Sequence, residues 1–329
     1  MRILVVGSGG VGSAVAAIAR RRPFFERMVM ADIDATRAAR AAGATGDDRF
    51  SSVALDASDA GAVARCARAE GCDVVLNAAD PRFVMPMFDA SLAAGCTYLD
   101  MAMSLSQPHP ERPFELPGEK LGDRQFARAA AWEERGQLAL VGTGVDPGLS
   151  DVFARHAADR LFSVVDAVDV RDGGDLTVDG FHFAPTFSIW TAIEECLNPP
   201  LLWDRQRGWT TTEPFSDPET FVFPEGIGPV ECVNVEHEEV VLVPRWVDCG
   251  RVSFKYGLGR EFIDVLRTLH LVGLDRTEPV EVRGVGVSPR ELVAACLPDP
   301  ASLGREMHGR TCVGTRVTGT GKDGRPREV

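Results

Sequence analysis

The stretch Arg2-Ile3-Leu4-Val5-Val6-Gly7-Ser8-Gly9-Gly10-Val11-Gly12 decides how the first half of the chain is read. Residues 3–6 form an uninterrupted apolar run, the pattern of a strand buried on both faces. Glycines follow in the spacing Gly-x-Gly-x-x-Gly, and residues 13–22 continue with the Ala-rich pattern of a helix. In such a strand–turn–helix, Gly7 permits the tight turn and Gly9 lets a pyrophosphate approach the backbone. Gly12 lets the helix pack close to the strand. The helix then presents free N–H groups and the positive end of its dipole to phosphate. The motif alone is weakly specific. Its context, a preceding strand, a following helix and an acidic residue, Asp32, ~20 positions after Gly12, is what dinucleotide binding requires. The expectation is a nicotinamide dinucleotide lying across Gly7, Gly9, Gly10, Val11 and Gly12.

Outward from this loop, apolar runs at 28–31, 52–55, 73–77, 98–100 and 137–141 alternate with helical patterns at 36–42, 60–69, 84–94 and 125–135. Strands alternating with helices at this spacing predict an α/β fold, a doubly wound parallel Rossmann sheet over residues 1–150. Beyond Ser150 the texture changes. Strand-like segments at 164–171, 231–235, 240–242 and 252–255 are mixed with helical patterns at 151–160, 190–196, 260–271 and 289–296. Residues 151–329 therefore read as a second, α+β domain on a mostly antiparallel sheet. Residues 310–329 read as a hairpin turned at Lys322-Asp323-Gly324. A chain ending within a strand is unusual, so further C-terminal residues are expected.

The bulk numbers fit two domains. The chain has 329 residues, 45% hydrophobic and 25% charged, an ordinary globular balance. A net charge of −13 argues against nucleic acid and anionic membrane as partners, because both need a basic face. Charge interrupts every apolar stretch well short of the ~18 residues of a membrane span. The N-terminus reads as a strand, not a signal peptide. None of the eight cysteines forms Cys-x-x-Cys, which suits reduced thiols in a cytoplasmic protein.

Candidate site residues lie where strands end, since ligands of open α/β sheets bind at the carboxyl edge. Asp32, followed by Ile33, can accept hydrogen bonds from the adenosine ribose and would repel a 2′-phosphate. That favours NAD over NADP, although Arg37 and Arg40, read as a solvated helix face, are close in sequence. Asp56 either caps the next helix or approaches the adenine. The small-residue loop Asn77-Ala78-Ala79 suits the nicotinamide-side ribose. Asp100 and Asp146 are the candidates for holding a substrate ammonium or relaying its proton. Each can also be read as a cap or turn residue. His182, within Phe181-His182-Phe183, joins them as a catalytic candidate, with Glu238 and Tyr256 as secondary ones. Glu236-His237-Glu238-Glu239 matches no standard zinc spacing, and as a strand it would send neighbours to opposite faces, so no metal site is expected. Gly319-Thr320-Gly321-Lys322 lacks the first glycine of a phosphate loop, whose place Arg316 holds.

Several of these motifs together resemble the saccharopine dehydrogenase family. They are the early glycine loop, Asp73-Val74-Val75-Leu76-Asn77-Ala78-Ala79, Tyr98-Leu99-Asp100 and Gly144-Val145-Asp146-Pro147-Gly148. Three later stretches are similar to its carboxynorspermidine synthase branch: Phe223-Pro224-Glu225-Gly226-Ile227-Gly228-Pro229, His237-Glu238-Glu239 and Leu297-Pro298-Asp299-Pro300-Ala301-Ser302-Leu303-Gly304. The resemblance implies a Rossmann domain with a second α+β domain, usually in a homodimer. It also implies redox chemistry at a carbon–nitrogen bond, with an amino acid or amine as substrate. Family members include saccharopine reductases, carboxynorspermidine synthases and lysine 6-dehydrogenases. Two departures narrow the expectation. Asp32-Ile33 stands where the carboxynorspermidine branch tends to have Ser-Arg for an NADP phosphate, which favours a lysine 6-dehydrogenase-like use of NAD. Thr191-Ala192 stands where saccharopine reductases place an Arg for a substrate carboxylate. A dinucleotide-binding regulatory protein without turnover is the alternative from another class.

Overall fold

Alternation decides the architecture of the first half. In the computed structural model, which describes residues 1–181 and 183–329, Ile3 and Val5 of strand β1 (Arg2–Val6) pack in one apolar core with Met28 and Met30. Leu4 and Val6 pack in another, with Val29, Ala31 and Val75. A sheet buried on both faces needs apolar residues at every position, and the continuous runs supply them.

This sheet belongs to a unit formed by Met1–Ser106 and Lys120–Pro147. After β1 come α1 (Gly10–Ala19), β2 (Arg27–Asp32), α2 (Ala35–Gly43), β3 (Phe50–Ala54), α3 (Ala60–Ala69), β4 (Val74–Asn77) and α4 (Val84–Ala94). Then follow β5 (Thr97–Asp100), α5 (Asp123–Phe126), α6 (Ala129–Glu134) and β6 (Ala139–Leu140). The six strands are parallel in the order β3-β2-β1-β4-β5-β6, the doubly wound arrangement. The strand order reverses between β1 and β4, which places the glycine loop at the topological switch point. Helix starts are set by short polar side chains. Asp34 accepts from Thr36 N at 2.8 Å to start α2, and Asp59 accepts from Ala62 N at 2.9 Å to start α3. The single helix expected at 125–135 is two, α5 and α6, separated where Arg128 leaves helical geometry at φ −96°, ψ 0°.

The second unit comprises Gln107–Glu119 and Gly148–Val329. Its elements begin α7 (Leu149–Arg160), β7 (Phe162–Gly174), β8 (Thr177–Val178), α8 (Ile189–Leu197), β9 (Leu201–Asp204) and β10 (Gly208–Thr211). Next are β11 (Glu219–Phe223), β12 (Gly228–Asn234), α9 (Glu239–Trp246), β13 (Cys249–Gly257) and α10 (Arg260–Leu271). Last come β14 (Val280–Val282), β15 (Val285–Val287), α11 (Pro289–Cys296), β16 (Met307–His308), β17 (Thr311–Gly321) and β18 (Pro326–Glu328). Its main sheet runs β10-β9-β13-β7-β17-β18, with β12 and β11 continuing from β13; β13 and β7 are parallel and the other pairs antiparallel.

One face of this sheet is apolar: Val168, Val170, Val252, Phe254 and Val317 are buried there. The other carries Asp169, Arg171, Ser253, Lys255 and Arg316 at the alternate positions. Residues 240–242, expected as a strand, lie in α9. Every residue from Glu239 to Val243 is buried, so the run shows neither period, and sequence pattern cannot separate helix from strand there. Within the described residues, no helix is long and apolar enough to cross a membrane.

The glycine loop shows which of its residues the fold itself requires. A Cβ at Gly12 would lie 1.9 Å from the Gly7 carbonyl oxygen, and one at Gly7, whose φ is +101°, would lie 2.4 Å from that of Ala78. A Cβ at Gly9 would meet nothing within 4 Å among the described residues. Gly12→Ala should therefore destabilise the protein by about 1–3 kcal/mol through overpacking against backbone, whereas Gly9→Ala should leave stability nearly unchanged. Denaturant unfolding of both variants measures this; equal midpoints would mean that α1 shifts freely and the close packing is unimportant.

Candidate functional site

The site in the first unit is built around α1. No side chain caps this helix, whose N-cap is Gly9, and no acidic residue lies in its first turn. Its first N–H groups thus have no side-chain competitor for an anion, and the dipole favours one. Gly10 and Val11 are exposed at the helix start, while Ser8 is buried and holds the turn: its hydroxyl donates to the Ala31 carbonyl at 3.2 Å. The space beside Gly9 and the free helix end fit a dinucleotide pyrophosphate.

Asp32 sits at the end of β2, 8% exposed. Its two carboxylate oxygens accept backbone N–H bonds from Ser8 at 2.9 Å and Asp34 at 3.0 Å. The carboxylate therefore ties the glycine loop to the end of β2. Each oxygen retains a second lone pair for a ribose hydroxyl. Ile33, beside it, is 75% exposed. Asp56 is exposed and accepts from both the amide and the hydroxyl of Ser58, which lower its pKa. Of the two readings offered for Asp56, the α3 cap is made by Asp59 instead.

The loop after β4 is ordered from within. Asn77 is buried; its Oδ1 accepts from Ala79 N at 2.9 Å and its Nδ2 donates to the Tyr98 hydroxyl at 3.2 Å. Burial, with the Asp100 charge nearby, holds the Tyr98 hydroxyl well above its ordinary pKa, so it stays protonated. The Ala78–Ala79 backbone, against which Gly7 packs, is what this loop can offer a ligand.

Asp100 is 1% exposed. One oxygen accepts from Gly142 N at 2.7 Å, the other from Gln125 Nε2 at 2.7 Å. The Gln125 Oε1 in turn accepts from Ser104 N at 2.8 Å. Thr143 donates its amide and hydroxyl to the Asp100 carbonyl. The residue expected to reach substrate is thus the internal tie of the loops beyond β5 and β6. Gln125, which does half of that work, carried no sequence signal: a glutamine opening an amphipathic helix reads as surface. Asp146 is half-buried in the loop before Pro147, to which it is joined by a cis peptide. The N-cap of α7 is Gly148, and Asp151 in its first turn accepts from Gly148 N at 2.9 Å. His182 lies outside the described residues.

The second unit holds a buried cluster that pattern reading took for part of a strand. Ser150 Oγ donates to Glu239 Oε1 at 2.8 Å, and His237 Nδ1 bonds to Glu239 Oε2. The His237 ring stacks on Phe254 at 3.8 Å. Glu236 and Glu238 are buried beside it, Glu236 accepting from Asn198 Nδ2 at 3.0 Å. As the chain turns into α9, His237 and Glu239 face the same way, and Glu239 meets both His237 and Ser150. Burial would lower the His237 pKa, but the Glu239 charge and hydrogen bond outweigh it and hold the ring protonated well above its ordinary range. Asp151 is pushed up to about 7 by burial and then by the Glu239 charge. A carboxyl poised near neutrality beside a histidine–glutamate pair is suited to proton transfer or to holding an ammonium.

Comparison with known proteins agrees with this geometry. Residues 3–140 match the saccharopine dehydrogenase NADP binding domain, and residues 144–328 match the saccharopine dehydrogenase C-terminal domain. A carboxynorspermidine synthase of Vibrio alginolyticus is 29% identical, over 100% of this chain and 80% of its own length. A carboxyaminopropylagmatine dehydrogenase of Synechocystis is 29% identical, over 99% of this chain and 79% of its own. The solved structure of saccharopine dehydrogenase (L-Glu forming) from Saccharomyces cerevisiae shares the fold with a TM-score of 0.65 at 13% identity, covering 99% of this chain and 83% of that one. With a nicotinamide-dinucleotide-binding unit followed by the matching C-terminal unit, the chain belongs to the saccharopine dehydrogenase family.

Proposed function

We propose that the protein is a nicotinamide-dependent oxidoreductase acting at the carbon–nitrogen bond of an amino acid or amine. The observation that carries this reading is the open space at Gly9, set between two glycines that packing demands and at the uncapped start of α1. Gly7, Gly9, Gly10, Val11 and Gly12 would hold the pyrophosphate, with Asp32 and Ile33 at the adenosine ribose. Asp56 would lie toward the adenine, and the Asn77-Ala78-Ala79 backbone toward the nicotinamide-side ribose. A bound nicotinamide supplies or accepts the hydride. The chain's own work is positioning and electrostatics. Asp100 acts as a positioning residue, because both its oxygens are engaged by protein donors. Asp146 is the carboxylate of the first unit proposed to meet substrate. In the second unit, Asp151 can stabilise an ammonium or take its proton, beside the His237–Glu239 pair.

Relatives named as a synthase and as a dehydrogenase leave the working direction to experiment. Reductive condensation of an aldehyde with an amine is the second reading, favoured by the C-terminal motifs. Amines, amino acids and aldehyde–amine pairs assayed with NAD(H) and NADP(H), following reduced-cofactor absorbance, distinguish the two. Substrate-independent behaviour across the whole panel would leave a non-catalytic binding protein. Eight unpaired cysteines suit the cytoplasm, and the family resemblance makes a homodimer the expected assembly, to be checked by light scattering.

NAD is the preferred cofactor in this reading, although the matching domain is described as NADP-binding. A 2′-phosphate beside the Asp32 carboxylate would be repelled, and Ile33 offers it no donor. Calorimetry should show NAD binding more tightly than NADP, and Gly9→Val should abolish binding of both in a folded protein. Equal affinities would remove Asp32 as the discriminator, and unchanged binding by Gly9→Val would place the pyrophosphate elsewhere.

Asp151 gives a pH signature. Its folded pKa of about 7 stands above the ordinary 3.8, so the folded state holds more protons than the unfolded chain between those values. Its contribution to stability is therefore greatest below pH 3.8 and falls as pH rises toward about 7. Asp151→Asn should remove that fall. If Asp151 takes a proton in the reaction, kcat/KM should rise through about pH 7 in the wild type and lose that limb in the variant. An unaltered profile in Asp151→Asn would exclude the proton-accepting role.

A further inference from the structure

The second unit carries an arm that its own fold leaves uncovered. Every residue from Arg276 to Gly286 is exposed, and β14 and β15 form a separate two-stranded sheet there. Arg283 and Gly284 make the turn between them, at φ +51° and +81°. Positive φ at both central residues is the tight hairpin turn whose twist matches its strands. The arm is fastened at its base, where Arg290 N donates to the Arg276 carbonyl at 3.1 Å and Arg290 Nε to the Asp275 carbonyl at 2.5 Å. Among the described residues, no backbone hydrogen bond joins 277–287 to anything outside the hairpin.

The register sorts the side chains. Val280 pairs with Val287, and Val282 with Val285. Residues opposite one another share a face of the sheet, as do residues two apart along a strand. All four valines therefore lie on one face. Glu281 and Gly286 lie on the other, where a Cβ on Gly286 would come within 3.6 Å of Pro279 Cβ. Val280, Val282 and Val285 are 37, 50 and 62% exposed. A lone two-stranded hairpin is marginal in water, and an open apolar face on one marks a surface for association. A strand added at an edge would leave that face in water. A surface laid across it covers the valines.

Charges at the two ends of the face indicate which surface. Arg283 holds a turn position that favours Asn, Asp or Gly, so the turn itself gains nothing from an arginine. Glu278 stands two positions before Val280, and Pro279 biases it to extended backbone, on the valine side. Both are exposed and, among the described residues, unpaired. A two-fold axis through the middle of the face lays one hairpin antiparallel on another, tip over base. Arg283 of each copy then meets Glu278 of the other, and the valines of both close between them at the roughly 10 Å spacing of packed sheets.

We propose that the valine face of β14–β15 is a self-association surface, on which a second copy of this chain packs its own hairpin about a two-fold axis. Four small side chains from each copy supply less area than a tight interface uses, so the dimer is weak and concentration-dependent. The proposal does not depend on the reaction proposed above.

Sedimentation velocity of the full chain over a concentration series tests it. The wild type should shift from monomer to dimer as concentration rises. Val285→Asp puts a charge into each half of the face and should raise the dissociation constant roughly tenfold or more. Arg283→Glu should raise it roughly threefold or more, because two pairs become repulsive. Arg283→Glu combined with Glu278→Arg reverses both charges and should return it to near the wild-type value. A thermal melt checks that each variant is folded; if Val285→Asp is not, the charge pair decides. A monomer at every concentration, a dimer indifferent to a folded Val285→Asp, or a loss in Arg283→Glu that the reversed pair does not restore would each overturn the proposal.

Discussion

The first unit depends on one close approach. The turn after β1 lies against the Ala78–Ala79 backbone, with no room for a Cβ at Gly7, and Gly12 lies against the Gly7 carbonyl with no room for one either. That contact brings the start of α1 to the point where the sheet reverses its order. It also leaves the first turn of α1 facing outward without a capping side chain. Interiors are close-packed, so a methyl group at either position would have to displace backbone rather than a side-chain tip. Gly9 is under no such pressure. A glycine that packing does not require, between two that it does, is kept for something outside the chain, which is why it carries the functional reading.

A second constraint runs through both units: a carboxylate taken out of water must find donors. Asp32 finds Ser8 and Asp34, and Asp100 finds Gly142 and Gln125. Asp169 finds Ser253 and three arginines, and Glu239 finds Ser150 and His237. In each case the acid fixes loops or strands that are distant in sequence. The consequence differs with what remains unfilled. At Asp100 both oxygens serve the fold. At Asp151, buried and then crowded by Glu239, the outcome is a proton held near neutrality.

Much of the first unit was legible because its signals are local. A strand buried on both faces is a continuous apolar run, and the glycine spacing is fixed by the turn it must make. The second unit was less legible for the opposite reason. Arg171 and Lys255 alternate with valine and phenylalanine along their strands, and alternation of that kind ordinarily means a solvated face. Only the β11–β12 hairpin, brought over them by non-local pairing, makes those charges buried. Likewise the run at 239–243 is apolar on all sides except for Glu239, whose partners come from 150 and 237, so neither helical nor strand period shows. The position of Asp100 at a strand end was visible in the sequence, whereas its partner Gln125, 25 residues away, was not.

The cofactor question turns on which parts of a dinucleotide site can discriminate. In the proposed reading the glycine loop and the start of α1 meet the pyrophosphate, which NAD and NADP share, so a match to an NADP-binding domain over residues 3–140 does not choose between them. The 2′-phosphate is met only at the end of β2. There Asp32 has two tasks that conflict with easy replacement. Its charge opposes a phosphate, and its oxygens also hold Ser8 and Asp34 in place. Deleting the side chain would remove the repulsion and at once release the loop that binds the pyrophosphate. The proposed discrimination thus rests on a residue that the turn also depends on, and exchanging it would require a new acceptor for the Ser8 amide as well as a basic residue beside the ribose.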